Sequence, residues 1–303
     1  MNIQLTIDKV KLALQKRMGK TKPNGRTFAA WEARGYRNAP EVSVIMESHN
    51  KSLQICHVVE KLRQHPSIEI VVIDDGSSLE HTERLAKFLN RGNEFLVRAN
   101  DLYENVMYNK CIRFVQSDYI ILMQDDDDIE SLEFIDEGLK LMKQYPKMAV
   151  LGGKDGFDVV FNEGDGKAHT IEENAALPLD DVRRGRAGTI LSGDGKFRFV
   201  PAVNRAPMWI NRKLFLEHLH NIKFSFAPFQ YDDYELCLRS WLCGLQVGSY
   251  EAHFSSLSAG GMRLWNNAFT QEQMRRNGPQ LYELYRDKID EINNLVSQAN
   301  AQL

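Results

Sequence analysis

The sequence predicts an α/β fold in which helices flank a mostly parallel sheet. Short apolar runs alternate with segments of helical periodicity between Val42 and Leu151, and this spacing is typical of strand–helix–strand units. Acidic clusters follow two of the apolar runs, at Asp74-Asp75 and at Asp125 to Asp128. With 303 residues, the chain is long enough for one sizeable α/β domain with extensions.

Five buried strands are predicted, because each run is short, apolar and bounded by turn residues. They cover Val42–Met46, Ile68–Ile73, Phe95–Val97, Tyr119–Met123 and Met148–Leu151. Pro66 and the Asn90-Arg91-Gly92 turn end two of the helices predicted between them. The carboxyl ends of parallel strands lie at one edge of a sheet, where ligands bind. Both acidic clusters should therefore meet at that edge.

After the fifth strand the alternation stops. Residues 152–200 are rich in Gly, Asp and Arg and are predicted to form long loops with short strands. A helix should begin at Asp232-Asp233, and a last strand and loop should follow at 246–258. From Thr270 the chain is predicted to be mostly helical, with an interruption at Asn277-Gly278-Pro279.

Residues 5–19 can form an amphipathic helix with several basic side chains. This helix either packs on its own domain or on a partner, or it lies on a membrane surface. Its weak apolar face favours packing. No stretch of the sequence reaches the ~18 apolar residues that a membrane helix needs, and the first twenty residues lack the apolar core of a signal peptide. We expect a cytoplasmic protein with at most peripheral contact at the inner face of a membrane.

The formal net charge of −3 argues against a nucleic-acid-binding surface, so no nucleic-acid partner is expected. The four cysteines show no C-x-x-C spacing, and we interpret them as reduced thiols of a cytosolic protein. They are Cys56, Cys111, Cys237 and Cys243.

The run Asp125 to Asp128 follows a buried strand directly. Carboxylates this close repel one another unless a cation intervenes. Mg²⁺ or Mn²⁺ prefers oxygen ligands and completes its shell with substrate phosphates. The alternative is an acidic turn that caps the helix predicted near Ser131. Four consecutive acids after a buried strand favour the metal site.

Two further acidic clusters are candidates for chemistry. Asp74 and Asp75 end a strand, where a carboxylate can accept a hydrogen bond from a ribose hydroxyl or a base N–H, and Gly76 allows a sharp turn. Asp232 and Asp233 stand at a predicted helix start, where a carboxylate facing a cleft could act as a general base. The alternative for both clusters is an ordinary turn or cap.

Together these motifs resemble family 2 of the inverting glycosyltransferases. The family's first strand, V-S-V-I-I-P-T-Y-N, is matched by VSVIMESHN at Val42–Asn50, and V-D-D-G-S by IDDGS at Ile73–Ser77. Its D-x-D metal motif follows a strand like YIILMQDDDD at Tyr119–Asp128. Its E-D-x-D-L-C-L-R segment is matched by DDYELCLR at Asp232–Arg239. The order and spacing agree over residues 42–255.

The resemblance implies a GT-A fold and a metal-dependent, inverting transfer of a sugar. The donor would be a nucleotide-diphosphate sugar, with a UDP-sugar favoured, and the cofactor Mn²⁺ or Mg²⁺. The acceptor would be a saccharide or a lipid-linked hydroxyl, in polysaccharide or glycoconjugate biosynthesis. Asp233 would be the catalytic base, and Asp127 and His253 would bind the metal. The residues implied to bind the donor are Glu47, Asp74, Asp75, Asn100, Asp125 and Asp126.

The resemblance also predicts the domain organisation. Residues 1–40 would form an N-terminal helix and linker, and residues 41–265 the GT-A domain. Within it, 41–151 would be the nucleotide-binding half and 152–265 the acceptor-binding half. Residues 266–303 would be a C-terminal helical extension, and a homo-oligomer could form through the terminal helices.

Some assignments stay open on the sequence. Glu47 replaces the family's proline and His49 its tyrosine, so the first nucleotide-binding loop should be reshaped. The D-x-D register within Asp125 to Asp128 is open by one residue, and His253 could be a partly buried strand histidine. The alternative functions are a non-catalytic nucleotide- or sugar-binding protein of this fold and a phosphatase of the haloacid dehalogenase type.

Overall fold

The computed structural model describes residues 40–153, 155–158, 183–186, 197–205, 207–252, 254–256 and 267–303. Pro40–Asn90 and Glu94–Leu303 form one compact unit, which contains every element described below, and Arg91–Asn93 belong to a second unit. The predicted N-terminal helix, His253 and most of the predicted loops at 152–200 lie outside the described residues.

The strands, numbered along the chain, form one large sheet and two small ones. They are β1 Val42–Ser48, β2 Ile68–Asp75, β3 Glu94–Ala99, β4 Tyr119–Met123, β5 Asp127–Ile129, β6 Met148–Gly152, β7 Asp155–Asp158, β8 Arg183–Arg186, β9 Phe197–Phe199, β10 Ala202–Val203, β11 Met208–Asn211, β12 Gln246–Tyr250 and β13 Phe254–Ser256.

Seven longer helices accompany these strands among the described residues. They are α1 Ser52–Leu62, α2 Leu79–Phe88, α3 Tyr103–Phe114, α4 Glu133–Gln144, α5 Asp232–Leu242, α6 Asn267–Tyr285 and α7 Ile289–Asn300. No helix in the described part of the chain has both the length and the apolar character that crossing a membrane requires.

The large sheet has the strand order β3-β2-β1-β4-β11-β6-β12-β9. β1 pairs in parallel with β2 and β4, and β2 pairs in parallel with β3. The antiparallel strand β11 joins β4 to β6, and β12 runs parallel to β6. The predicted mostly parallel sheet flanked by helices is confirmed, and all five predicted strands are present.

The strands differ from the sequence prediction in two respects. β11 and β9 add antiparallel strands to the sheet. The second half of the aspartate run also belongs to a strand, because β5 pairs antiparallel with β13, with Asp128 opposite Ser255. The chain therefore turns between β4 and β5 only over Gln124 to Asp126.

The C-terminal helices pack on this core. α7 holds the edge strand β9, because the Asn300 side chain accepts a hydrogen bond from the Phe199 N–H and donates one to its carbonyl, both at 2.9 Å. The Tyr285 hydroxyl of α6 donates to Glu235 Oε1 at 2.9 Å. The expected interruption at 277–279 is wrong: α6 continues through Pro279.

Candidate active site

The register of the parallel strands brings the acidic clusters to one edge of the sheet. Ser48 at the end of β1 lies opposite Asp74 of β2, and Met46 lies opposite Met123, the last residue of β4. The loops that leave β1, β2 and β4 therefore emerge side by side. The candidate site is this edge.

Asp75 ties the end of β2 to the start of α3. Its Oδ1 accepts a hydrogen bond from the Leu102 N–H at 2.9 Å, and its Oδ2 accepts one from the Tyr103 N–H at 2.8 Å. Gly76 has a φ of +73°, and a Cβ there would lie 2.7 Å from Asp101 Oδ1. Asp75 is not a cap of its own helix α2, which begins after Ser78; it orders the turn at residues 100–103 instead.

Asp74 has one carboxylate oxygen that is hydrogen-bonded to a described residue and one that is not. Its Oδ2 accepts a hydrogen bond from the Thr82 hydroxyl at 2.6 Å, and Arg98 Nε lies 3.7 Å from the same oxygen. Its Oδ1 is buried and has no hydrogen-bond partner among the described residues. A buried acceptor of this kind needs a donor, which an ordered water or a bound molecule can supply.

A cleft of about 590 Å³ lies beside these acids, at the carboxyl end of β3. Its described lining residues are Arg98, Ala99, Asn100 and Leu102. Asn100, one of the predicted donor-binding residues, is exposed there. The turn ordered by Asp75 thus forms one wall of the cleft.

The loop after β1 reaches across to the aspartate run. The His49 N–H donates to Asp125 Oδ2 at 3.0 Å, and Lys51 Nζ donates to Asp125 Oδ1 at 3.1 Å. His49 Nδ1 also donates to the Asp75 carbonyl at 2.7 Å. Burial raises the pKa of Asp125, and the Lys51 ammonium opposes that shift. His49 therefore connects the β2 and β4 acids, while Glu47 is buried at the end of β1.

The four aspartates have different environments. Asp128 pairs with Lys61 Nζ at 2.7 Å and accepts the Ile129 N–H at 2.9 Å. Burial alone would raise the pKa of Asp128, but these bonds outweigh burial, and the pKa is lowered. Asp126 and Asp127 are buried in the turn, where Asp127 Oδ2 accepts the Gln124 N–H at 2.7 Å. None of the four caps α4, whose N-terminus shows no side-chain cap, so the capping alternative is wrong.

The described residues contain no group of three or more His, Cys, Asp or Glu side chains that could hold a metal ion. Mg²⁺ and Mn²⁺ sites often use only one or two carboxylates and take their other ligands from phosphates and water. Asp126 and Asp127 are two adjacent buried carboxylates and meet that smaller requirement. Asp125 and Asp128 each form an ion pair with a lysine. The oxygen donors at this turn therefore fit a hard divalent cation.

Arg205 organises the third acidic cluster. Its Nη1 and Nη2 atoms donate to the two carboxylate oxygens of Asp232, both at 2.8 Å, and Nη2 lies 3.2 Å from Glu104 Oε2. All three side chains are buried. Gln124 Nε2 donates to Glu104 Oε1 at 2.9 Å. This network joins the start of α5 to Gln124, the residue that follows β4.

Asp233 differs from its neighbour Asp232. It is half-buried, whereas Asp232 is fully buried. Its Oδ1 accepts the Tyr234 N–H at 2.9 Å and its Oδ2 the Arg205 N–H at 3.3 Å. Burial raises the pKa of Asp233 to about 6; the Asp232 charge adds to this effect, and the Arg205 guanidinium opposes it. A carboxylate with that pKa can take up a proton near neutral pH.

The segment Phe224–Tyr231, called the base loop here, leads into α5. Gln230 and Tyr231 have φ values of +76° and +64°. Such left-handed conformations cost non-glycine residues on the order of 1–3 kcal/mol each and persist only where surrounding contacts hold them. These two residues directly precede Asp232 and Asp233, which begin the first turn of α5.

The structure thus gathers most of the predicted site residues on one edge, and the placement of His253 lies outside the described residues. Sequence reasoning missed Lys51, Glu104 and Arg205. Lys51 stands next to the first motif, so a basic residue there was a usable signal. Neither Arg205 nor Glu104 follows a periodic pattern. Arg205 pairs with Asp232 across 27 residues of sequence and with Glu104 across 101.

A family model described as glycosyl transferase family 2 matches residues 43–205, more than half of the chain. No curated protein sequence matches the chain.

Among solved structures, S. aureus TarS 1-349 in complex with UDP-GlcNAc is similar, with a TM-score of 0.52 and 15% identity over 75% of this chain and 61% of that one. The mannosyltransferase PcManGT from Pyrobaculum calidifontis, in complex with GDP-Man and Mn²⁺, gives 0.50 and 12% over 94% of this chain and 83% of that one. The chain spans about 60% of the TarS fragment's length. These likenesses confirm the predicted GT-A fold.

Proposed function

The chain belongs to glycosyl transferase family 2, which confirms the predicted glycosyltransferase class, and from this premise we propose that it transfers a sugar from a nucleotide diphosphate to an acceptor hydroxyl. The observation that carries the proposal is the half-buried Asp233, with a pKa of about 6. It is linked through Arg205, Glu104 and Gln124 to the end of β4. The proposed proton acceptor, Asp233, and the sheet edge proposed to bind the donor diphosphate are therefore joined by one network of hydrogen bonds and ion pairs.

We propose that the donor's base and ribose occupy the cleft beside Asp74, Asp75 and Asn100. The buried Oδ1 of Asp74 offers an acceptor for a base N–H or a ribose hydroxyl. TarS and PcManGT have been solved with UDP-GlcNAc and GDP-Man, both nucleotide-diphosphate sugars. Of the two, we favour a UDP-sugar for this chain, with a saccharide or lipid-linked acceptor.

Mn²⁺ or Mg²⁺ is the proposed cofactor, held by Asp127 together with Asp126. When bound, the cation would neutralise the diphosphate leaving group. Lys51, paired with Asp125, adds a positive charge at the same turn. The solved complex of PcManGT contains Mn²⁺.

The proposed chemistry is a single displacement with inversion. The acceptor oxygen attacks the anomeric carbon as the bond from that carbon to the diphosphate oxygen breaks, and Asp233 takes the acceptor proton. The N–H groups of Arg205 and Tyr234 hold the Asp233 carboxylate in place. The transition state has oxocarbenium character, as in glycoside hydrolysis, and holding donor and acceptor in line supplies much of the acceleration.

Metal dependence gives the first test. We expect EDTA to abolish binding of nucleoside diphosphates, and Asp127→Ala to remove both the dependence on Mn²⁺ and the activity. Asp126→Ala should weaken Mn²⁺ binding as well. Isothermal titration of UDP and GDP, with and without Mn²⁺, measures this directly.

Asp128→Ala is the matched control, because Asp128 belongs to the same acidic run but pairs with Lys61. It should bind the nucleotide and Mn²⁺ as the wild type does. Equal binding by wild type and Asp127→Ala, or full binding in EDTA, would contradict the metal site.

Asp75→Asn tests the nucleotide cleft. The two bonds end on separate oxygens of Asp75. Asparagine replaces one of these oxygens with an NH2 donor that faces an N–H group, so the turn that walls the cleft should loosen. We expect the Kd for the nucleoside diphosphate to rise at least about 10-fold, since losing charge-assisted bonds costs ~1.5–3 kcal/mol each. Calorimetry gives the Kd, and an unchanged value would show that Asp75 only shapes a turn.

A further inference from the structure

The base loop is held by bonds from outside it. The carbonyl oxygens of five consecutive residues, Phe226 to Gln230, each accept a hydrogen bond from another element. From the α3 side, the Asn105 N–H donates to the Pro228 carbonyl at 3.2 Å. The other four bonds come from two adjacent residues of α6, Arg276 and Asn277. The C-terminal helix therefore supplies most of the contacts that fix the path of the loop.

Asn277 is central to this contact. It is fully buried, and its Nδ2 atom lies 2.9 Å from the Phe226 and Phe229 carbonyl oxygens and 3.0 Å from that of Gln230. Because this NH2 group has two hydrogens, one of them is shared between two of the three carbonyls. Arg276 adds a bond to the Ala227 carbonyl, and its Nε donates to Asn277 Oδ1 at 3.0 Å. An apolar residue at 277 would remove the α6 donor from the Phe226, Phe229 and Gln230 carbonyls, at a desolvation cost that is largest for the buried Phe226.

The hydrogen bonds from Asn277 to the base loop lie just before the proposed catalytic base in the sequence. Gln230, whose carbonyl Asn277 binds, is the first of the two left-handed residues, and Tyr231 is the second. Asp232 and Asp233 follow at once. Residues in such conformations depend on their surroundings, so releasing the Gln230 carbonyl would let the start of α5 shift.

We propose that Asn277 is a positioning residue for Asp233, which makes α6 part of the catalytic machinery. Asn277 acts through the base loop and need not touch the substrate. It holds the left-handed pair Gln230-Tyr231 through the Gln230 carbonyl, and so fixes where the Asp233 carboxylate meets the acceptor oxygen. This inference rests on the proposed function, in which Asp233 is the base.

The test is a double-mutant cycle between Asn277→Ala and Asp233→Asn. The rate measured is the release of UDP from UDP-GlcNAc and of GDP from GDP-mannose, with Mn²⁺ and with water as acceptor, below the Tm of every variant. Asn277→Ala alone should lower kcat about 10- to 100-fold, because small misplacements of a catalytic group cost factors of this order. The donor KM should stay nearly constant. In the Asp233→Asn background the same change should have little further effect.

Asn300→Ala is the matched control. Asn300 also lies on a C-terminal helix and also binds backbone groups through its side-chain amide, but its partner is Phe199 in β9. It should lower Tm without lowering kcat. Asn277→Asp is a second variant of nearly the same shape, which places a carboxylate against the loop carbonyls and should lower kcat at least as much as alanine does.

Three results would overturn the inference. They are an unchanged kcat in both Asn277 variants, an equal loss of rate in the wild-type and Asp233→Asn backgrounds, and a loss in Asn300→Ala as large as that in Asn277→Ala. If Asp233→Asn itself keeps full activity, the base assignment of the proposed function fails, and the positioning role fails with it. The kcat of Asp233→Asn alone tests the base assignment, and the kcat of the Asn277 variants in the two backgrounds tests the positioning role, so the two failures are distinguishable.

Discussion

Asp233→Asn should lower kcat by about 10²- to 10⁴-fold, the usual contribution of a general base. The amide keeps the shape of the carboxylate but cannot take the acceptor proton. Asp233 is half-buried, and its pKa of about 6 shows that its surroundings disfavour the charge. Removing that charge should therefore leave Tm and the donor Kd nearly unchanged. Steady-state kinetics together with thermal unfolding separates the two effects.

The pH dependence of kcat/KM is an independent test of the role of Asp233. The base must be ionised to act, so kcat/KM should rise with pH through about 6, the pKa of Asp233. In Asp233→Asn this limb of the profile should disappear. A wild-type limb that survives in the variant would assign the titration to another group.

Asp232→Asn is the neighbouring comparison. Asp232 is fully buried and makes the bidentate pair with Arg205, so its replacement should reduce stability more than Asp233→Asn does. If Asp232→Asn abolished turnover in a well-folded protein while Asp233→Asn kept full activity, the base would be Asp232.

Arg205→Met should lower the free energy of unfolding by about 3–5 kcal/mol, the range observed when one partner of a buried ion pair is removed. Methionine fills part of the volume but leaves Asp232 and Glu104 buried with no counter-charge from residue 205. Burial already raises the pKa of Glu104, and the Arg205 charge is the main opposing influence. Urea denaturation measures the change.

The same substitution should shift the pH profile. Because the Arg205 guanidinium lowers the pKa of Asp233, its loss should raise that pKa and move the kcat/KM limb to higher pH. Arg275→Met is the control. Arg275 forms an ion pair with Glu272 in which both side chains are exposed, and such a pair should contribute little to stability. An Arg205→Met protein as stable as Arg275→Met would contradict the structural role of the network.

The fold could be predicted largely from local sequence patterns. Strands such as Val42–Ser48 are buried on both faces, and a strand of this kind is a continuous apolar run that needs no knowledge of its partner. β11 could not be predicted in this way. It is four residues long and lies between β4 and β6, far from both in sequence, so only tertiary pairing defines it.

The same distinction applies to the site. Asp74, Asp75 and Asp125 could be placed together because each follows a parallel strand, and strand polarity alone brings such residues to one edge. The groups that fix them come from distant parts of the chain. Arg205 reaches Asp232 from a separate segment, and Asn277 reaches Gln230 from a C-terminal helix. No spacing in the sequence encodes these contacts.

The most direct test of an inverting nucleotide-sugar transferase is a proton NMR time course of UDP-GlcNAc and GDP-mannose incubated with the protein and Mn²⁺. Both donors carry an α-linked sugar, so attack by water with inversion gives the β-anomer first. With the wild type we predict that the β-anomer signal appears as the donor signal falls, and that Asp233→Asn shows neither change on that timescale. The α-anomer appearing first, or equal turnover by Asp233→Asn, would contradict the proposed mechanism.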